Sequence, residues 1–379
     1  MADIVNIGRD SGKSLERRLS EKLSELLASI EWLEDLKISE NPAPYDRAYD
    51  LIAQFHAQDG ARIELLVECK AEPRPSQFPA VAVKREFEKG HTKRARAWVF
   101  AAPHLSPRMR EVCESHGWSW FDLAGNCRIS IPGVIHLERT GNPPVHSRPK
   151  PTANLGTPEA GRVIRALLAP ENAQLSWTQR DLQRENGADV SLGLVNKVVR
   201  YLREESFIEE RQNEGFSVRD PLKLLFVWRD AYRFSAHHRR NYFTLLNGWA
   251  LVDALAKLHG QSGGYVLYAA FSAAAIQAPH VRQPKTWLYV SQPLLSKFEN
   301  LIEAKEVESG ENIVVLVPND GGVFAFSDGG LIEDHRLTCT NVVQTYVDLW
   351  HCGGRGREAA EAVLEQRLKP AWKAGGLLT

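Results

Sequence analysis

The sequence lacks any excess of charge: 47 Lys and Arg balance 47 Asp and Glu, so no global field draws it to nucleic acid or an anionic surface. Affinity for a polyanion has to come from local patches. No uninterrupted apolar run approaches the ~18 residues of a membrane span, and the opening stretch MADIVNIGRDSGKSLERRL holds no secretory apolar core. A cytoplasmic location is the expectation. Cysteine is sparse: Cys69, Cys113, Cys127, Cys339 and Cys352 are scattered without a C-x-x-C pair, which excludes a disulfide framework. His335 with Cys339, and His351 beside Cys352, lack the ligand spacing of a zinc site. Internal repeats and low-complexity tracts are also missing.

With 43% hydrophobic and 25% charged residues the composition supports a packed core, and 379 residues exceed what one core usually holds. The stretch RTGNPPVHSRPKPTANLGTP, residues 139–158, is rich in Pro, Gly, Asn and Thr without apolar periodicity, as a linker is. The expected organisation is a multi-domain α/β (α+β) chain. A mixed-sheet domain covers 1–145 and a linker 146–156. A three-helix segment with a ribbon follows at 157–221, then an α/β C-terminal domain at 222–379.

In the first domain, residues 14–30 read as a helix with Leu15, Leu19, Leu23, Leu26 and Leu27 on one face. Strands are expected at 48–56 and 63–70 around a turn with Asp59 and Gly60, then at 97–102 and 118–122, with a charged helix before the third and a helix at 106–116 before the fourth. The apolar faces Tyr49, Leu51, Ala53, Phe55 and Ile63, Leu65, Val67, Cys69 coincide only if paired positions sum to an even number, such as 51 with 67. Such pairing needs an odd loop or a bulge, and it sets Asp50 opposite Glu68. Lys70 shares the face of Glu68 because strand side chains alternate. Two converging carboxylates can ligate Mg²⁺ or Mn²⁺, and a nearby ammonium can stabilise developing negative charge, so Asp50 and Glu68 are candidate metal ligands and Asp50, Glu68 and Lys70 candidate catalytic groups. The alternative is a strand face showing its charges to water. Lys84, Arg85, Lys89, Lys93, Arg94 and Arg96 follow as a basic run suited to phosphates or to solvent. This order of helix and strands, with Asp50 and then Glu68-Cys69-Lys70, resembles the PD-(D/E)XK restriction-endonuclease-like superfamily. Glu16 matches the acid that some members carry in the first helix.

From Thr157, a cap before Pro158, the pattern is three helices and a two-stranded ribbon. In the third helix Val195, Val198, Val199 and Leu202 form a core face, leaving Ser191, Asn196, Lys197, Arg200 and Arg203 outside. This is the pattern of a winged helix-turn-helix. Asn196 and Arg200 suit base edges, Lys197, Arg211 and Gln212 suit the backbone of double-stranded DNA, and Ser191 and Arg203 complete the set of candidate DNA-binding residues. Residues 160–219 carry nine cations and nine anions, so only that face is basic.

Several stretches, "SWFDLAGNCRISIPG", "VSLGLVNKVVRYLREESFIEE", "DPLKLLFVWRDAYRF", "AAFSAAAIQAPHVR" and "YVDLWHCGGRGREAAEAVL", resemble bacterial AbiEi-like antitoxins of type IV abortive-infection systems. The resemblance implies a DNA-binding transcriptional regulator, often repressing its own operon, beside a nucleotidyltransferase-like toxin. The short form of that family lacks the nuclease-like front domain. The readings that follow are a DNA-binding regulator, a Mg²⁺-dependent DNA endonuclease delivered by the winged helix, and a docking module for a toxin. The partners these features allow are double-stranded DNA, a cognate toxin protein and another copy of the chain; none calls for a membrane.

Overall fold

The computed structural model describes residues 12–40, 49–57, 60–83, 95–145, 153–173, 176–184, 188–211, 215–258, 264–327 and 338–378. The chain is a mixed α/β protein with two compact units, Met1–Lys150 and Pro151–Thr379. Among the described residues no helix is long and apolar enough to cross a membrane.

The first unit comprises α1 (Gly12–Ala28), β1 (Glu34–Glu40), β2 (Leu51–His56), β3 (Arg62–Cys69), α2 (Phe78–Ala82), β4 (Ala95–Ala102), α3 (Pro107–Ser115), β5 (Ser119–Asp122), β6 (Cys127–Ile131) and β7 (Ile135–Arg139). Its strands lie in sequence order in one sheet, with β3, β4 and β5 parallel and the other neighbours antiparallel. One face packs on α1: its five leucines bury against Leu51, Phe55, Ile63 and Val67. The other packs on α2 and α3 through Ile52, Leu66, Phe78, Phe100, Met109 and Trp120. Both faces of β3 are therefore covered.

The β2–β3 register is the expected one, Leu51↔Val67 through Phe55↔Ile63. The loop between them is odd: Ala57 N–H reaches Ala61 O at 3.0 Å around residues 58–60. Gly60, at φ +77°, takes the left-handed conformation there. The expected start of β2 is too early. Tyr49 packs with Phe100 and Trp120 on the opposite face from Leu51, its hydroxyl accepting the Trp98 indole N–H at 3.0 Å. The cause is a one-residue slip: Asp50 N–H bonds Val67 O at 3.0 Å, out of step with the ladder beyond it. Strands β1, β6 and β7 were not expected. β1, EDLKISE, is an edge strand with almost no buried position, so it carries no alternating pattern to read. The expected charged helix falls largely on residues 84–94, outside those described.

The second unit contains α4 (Pro158–Leu168), α5 (Gln179–Gln183), α6 (Leu192–Glu204), β8 (Ile208–Arg211), β9 (Gly215–Val218), α7 (Pro221–Ala231), β10 (His238–Phe243), α8 (Gly248–Leu258), β11 (Val266–Tyr268), α9 (Ala270–Gln277), β12 (Thr286–Val290), α10 (Leu295–Leu301), β13 (Lys305–Glu306), β14 (Ile313–Val317), α11 (Val342–His351), α12 (Gly356–Val363) and α13 (Lys369–Ala374). Strands β10–β14 form a sheet ordered β11-β12-β14-β10-β13, in which β12 and β14 are parallel. Alternation splits its two faces. Leu288, Val290, Val315 and Tyr242 pack with α8 and α10, whereas Trp287, Tyr289, Val314 and Leu316 join a cluster that also holds α4, α6, α7 and α11.

That second cluster runs unbroken from Leu155 to Trp372, so no gap in the core falls at residue 221. Trp372, fully buried, donates its indole N–H to Leu168 O at 3.0 Å and so closes the C-terminal end of α4. Trp372→Ala should cost about 3–5 kcal/mol, the usual range for such a truncation. In the full chain, hydrogen exchange should then lose protection in α6 as well as in β12 and β14. Loss confined to the sheet would mean that the two parts have separate cores.

Candidate functional site

In the first unit the slip at Asp50 decides the chemistry. Its Oδ2 accepts the Cys69 N–H at 2.7 Å, taking the place of a strand carbonyl at the end of the β2–β3 ladder. Glu68, 3% exposed, meets the half-exposed Lys70 ammonium at 2.6 Å. Burial opposes the charge on Lys70, but the Glu68 hydrogen bond and the fields of Glu68 and Asp50 hold its pKa above the ordinary value. The Cys69 thiol is pushed up by burial, then by Asp50, Glu16 and Glu68. The sequence-expected acids and the lysine thus act on one another, and Glu16 of α1 contributes to the same field.

Among the described residues no group of three or more His, Cys, Asp or Glu gathers at one point. A metal here would depend on two carboxylates, with water or substrate phosphate completing the shell, which is within the habits of Mg²⁺. The donors fit in kind, provided Lys70 shares Glu68. Of the basic run, Arg96 is described, and it pairs with Glu64 at 2.7 Å; Lys84, Arg85, Lys89, Lys93 and Arg94 lie outside the described residues.

In the second unit, α4, an isolated Trp177↔Phe216 bridge, α5, α6 and the β8–β9 ribbon follow one another in the chain. A Cβ on Gly215, at φ +88°, would fall 2.3 Å from Trp177 O, so the ribbon closes on Trp177 only because this position is glycine. Val195, Val198, Val199 and Leu202 are fully buried, as their spacing requires. The opposite face divides into engaged and disengaged groups. Ser191 caps α6 by accepting Leu194 N–H, Asn196 reaches Gln179 at 3.3 Å, Arg203 pairs with Glu210 at 2.6 Å, and Arg211 bonds Ser217 at 2.9 Å. Lys197 and Arg200 are exposed and make no ion pair with the described residues. Gln212 lies outside those residues.

A third cluster was missed from sequence. Asp348, fully buried on α11, accepts from the Tyr232 hydroxyl at 2.8 Å, the Gln344 amide at 2.8 Å and the Tyr289 hydroxyl at 3.0 Å. Tyr232 O also meets His237 Nε2 at 2.6 Å, and Gln344 Oε1 receives Arg165 Nη1 at 2.8 Å. The one available signal is that Arg162 and Arg165 sit three apart in the otherwise apolar helix GRVIRALL, so one turn of that helix carries its cations inward. Comparison with family models, curated proteins and solved structures returns no match.

Burial raises the Asp348 pKa from 3.8 to about 7, against the hydrogen bonds from Tyr232, Gln344 and Tyr289 and the field of Arg165. Burial, then Arg165, lowers His237 from 6.5 to about 4, with Asp320 opposing. The signs are opposite. Asp348 gives a stability term present below about pH 4 and lost as pH rises through about 7. The His237 term is present above about pH 6.5 and lost as pH falls through about 4. Between those limits they offset each other in the wild type. Melts across pH 4.5–7.5 should therefore show Asp348→Asn gaining on wild type as pH rises, and His237→Gln losing ground. Profiles that stay parallel to wild type would mean that neither group carries such a shift.

Proposed function

We propose that the protein is a DNA-binding regulator that reads duplex DNA with α6, in the manner of the AbiEi-like antitoxins it resembles. The observation that supports this most directly is the outer face of α6, where Lys197 and Arg200 stand exposed beside Asn196 and opposite a fully buried valine and leucine face. The order helix, bridge, two helices and ribbon supports the reading as a winged helix-turn-helix, a motif whose third helix enters the major groove. The Arg203–Glu210 pair joins α6 to the ribbon. In the resemblance the partner protein is a toxin enzyme, and capture of such a partner without DNA affinity would favour a docking role instead.

Base reading and phosphate contact differ in what they cost. A base-reading side chain discriminates by about 1–3 kcal/mol, while a phosphate contact weakens every sequence alike. Asn196→Ala and Arg200→Ala should relax preference on a promoter-derived duplex. Lys197→Ala should lower affinity uniformly and reduce the salt slope by about one unit. The measurement is a salt-titrated binding curve on specific and scrambled duplexes. Wild-type binding that is absent, or indifferent to all three changes, sinks the reading.

A second reading rests on the β2–β3 register, which brings Asp50, Glu68 and Lys70 to one end of the sheet. It is a Mg²⁺- or Mn²⁺-dependent DNA endonuclease, with Asp50 and Glu68 holding the ion and Lys70 facing the phosphate. The ion would polarise the phosphoryl oxygen and activate water. Because Asp50 also closes the ladder, Asp50→Ala would confuse folding with chemistry. Asp50→Asn keeps an acceptor for Cys69 N–H and removes the charge. Cleavage of plasmid with Mg²⁺, abolished by EDTA, by Asp50→Asn and by Lys70→Met, is the expected result. An unchanged rate in both variants excludes this site.

A further inference from the structure

A cavity of about 210 Å³ opens in the second unit between the first turns of α4, the end of α7 and residues 319–323. Arg165, Trp228, Tyr232, Arg233, His237 and Asp320 border it. Two of these are more than nine-tenths buried and incompletely bonded: Arg165 Nε and His237 Nδ1 have no hydrogen-bond partner. Such omissions are costly in a dry interior and mark a place where a partner belongs.

Cations also border the cavity. Asp320 is engaged by Arg162 at 2.5 Å and by Gly322 N–H at 2.9 Å, and stands 3.5 Å from Arg165. It serves two guanidiniums. Arg233, exposed beside the cavity, makes no ion pair with the described residues. The start of α4 borders the same space, and a helix N-terminus favours negative charge. Arg165, Arg233 and the start of α4 thus give this border a lining suited to an anion.

His237 adds a second requirement. While Asp348 is ionised it takes the Tyr232 hydroxyl proton, so His237 Nε2, 2.6 Å from the Tyr232 oxygen, is the donor in that contact. Nδ1 of the neutral ring is then a bare acceptor and needs a donor from the occupant. We propose that the cavity binds a small organic oxyanion that carries a hydroxyl, a hydroxy acid or a short polyol phosphate, with the acid group on Arg165 and Arg233 and the hydroxyl donating to His237 Nδ1. This assignment does not rest on the DNA-binding reading, since occupancy is read from the protein alone.

The test is thermal melting and calorimetry of the full chain with D-glycerate and glycerol 3-phosphate, against propionate and propyl phosphate, which lack the hydroxyl, at matched chloride ionic strength. The carboxylate and phosphate arms identify the acid group. Glycerate or glycerol 3-phosphate should raise Tm by about 5–10 °C at a hundredfold excess over Kd. Arg165→Gln and Arg233→Gln should each weaken that ligand at least tenfold. The Arg233 change, on an exposed residue, keeps the test valid if the Arg165 variant fails to fold. His237→Phe should reduce the hydroxylated ligand to the affinity of its deoxy counterpart. No stabilisation beyond chloride by either hydroxylated probe, or undiminished binding by Arg233→Gln, overturns the assignment. Equal binding of the deoxy compounds by wild type removes the role given to His237.

Discussion

A guanidinium removed from water costs several kcal/mol unless charge and hydrogen bonds are returned to it, and in the second unit that demand falls on Arg165. At 3% exposure it draws Gln344 from α11, Asp320 from the segment after β14, and the Trp228 ring of α7, 5.8 Å from its centre. Each of these comes from a different stretch of chain. Gln344 is fixed in turn by Tyr232 and Asp348, and Asp348 by Tyr289 on β12. The core around α4 therefore sets α7, α11 and the sheet against one another by polar bonds with definite directions, where apolar packing alone would permit sliding. The same helix shares its apolar cluster with α6.

How far the sequence could be read follows from how each element is buried. The β2–β3 register was legible because both strands bury one face against α1, and only one pairing parity lets the two apolar sets coincide. The face of α6 was legible for the same reason, with a helical period. β1 was not, since an edge strand facing water on most positions leaves no alternation. Tyr49 deceived the pattern because an aromatic residue fits either face, and the slip at Asp50 that sends it across is a hydrogen-bond event without an apolar signature. Arg165 was hidden by the opposite circumstance: α4 is buried almost all round, so a cation within it reads as the solvated side of an amphipathic helix.

The site at Asp50 shows why spacing and convergence do not by themselves fix chemistry. Residue types and order are those the sequence pattern leads us to expect of a metal site, yet one Asp50 oxygen terminates a strand ladder and one of Glu68 neutralises Lys70. Both bonds stabilise the unit without any reaction. A carboxylate has further lone pairs, so structural and catalytic use are compatible at Asp50. They separate only when charge is removed and the acceptor is kept.

If the proposed DNA-binding reading holds, the ion pairs around α6 bear on how one sequence would be told from another. A chain with no net charge cannot rely on diffuse attraction, and Arg203, paired with Glu210, is spent on holding the ribbon to the helix. On α6 this leaves Lys197 and Arg200. On the proposed reading Lys197 is the one phosphate contact that α6 supplies, worth about one unit of salt slope per copy, well short of the roughly 6–10 contacts of a strongly salt-dependent binder. Affinity then has to come from base contacts, from cations beyond this helix, or from two copies on half-sites spaced by a helical turn. On the proposed DNA-binding reading, neutral composition and a sparse basic face push the same way: binding would be weak on arbitrary DNA and would gain its strength from matched sequence and repeated sites.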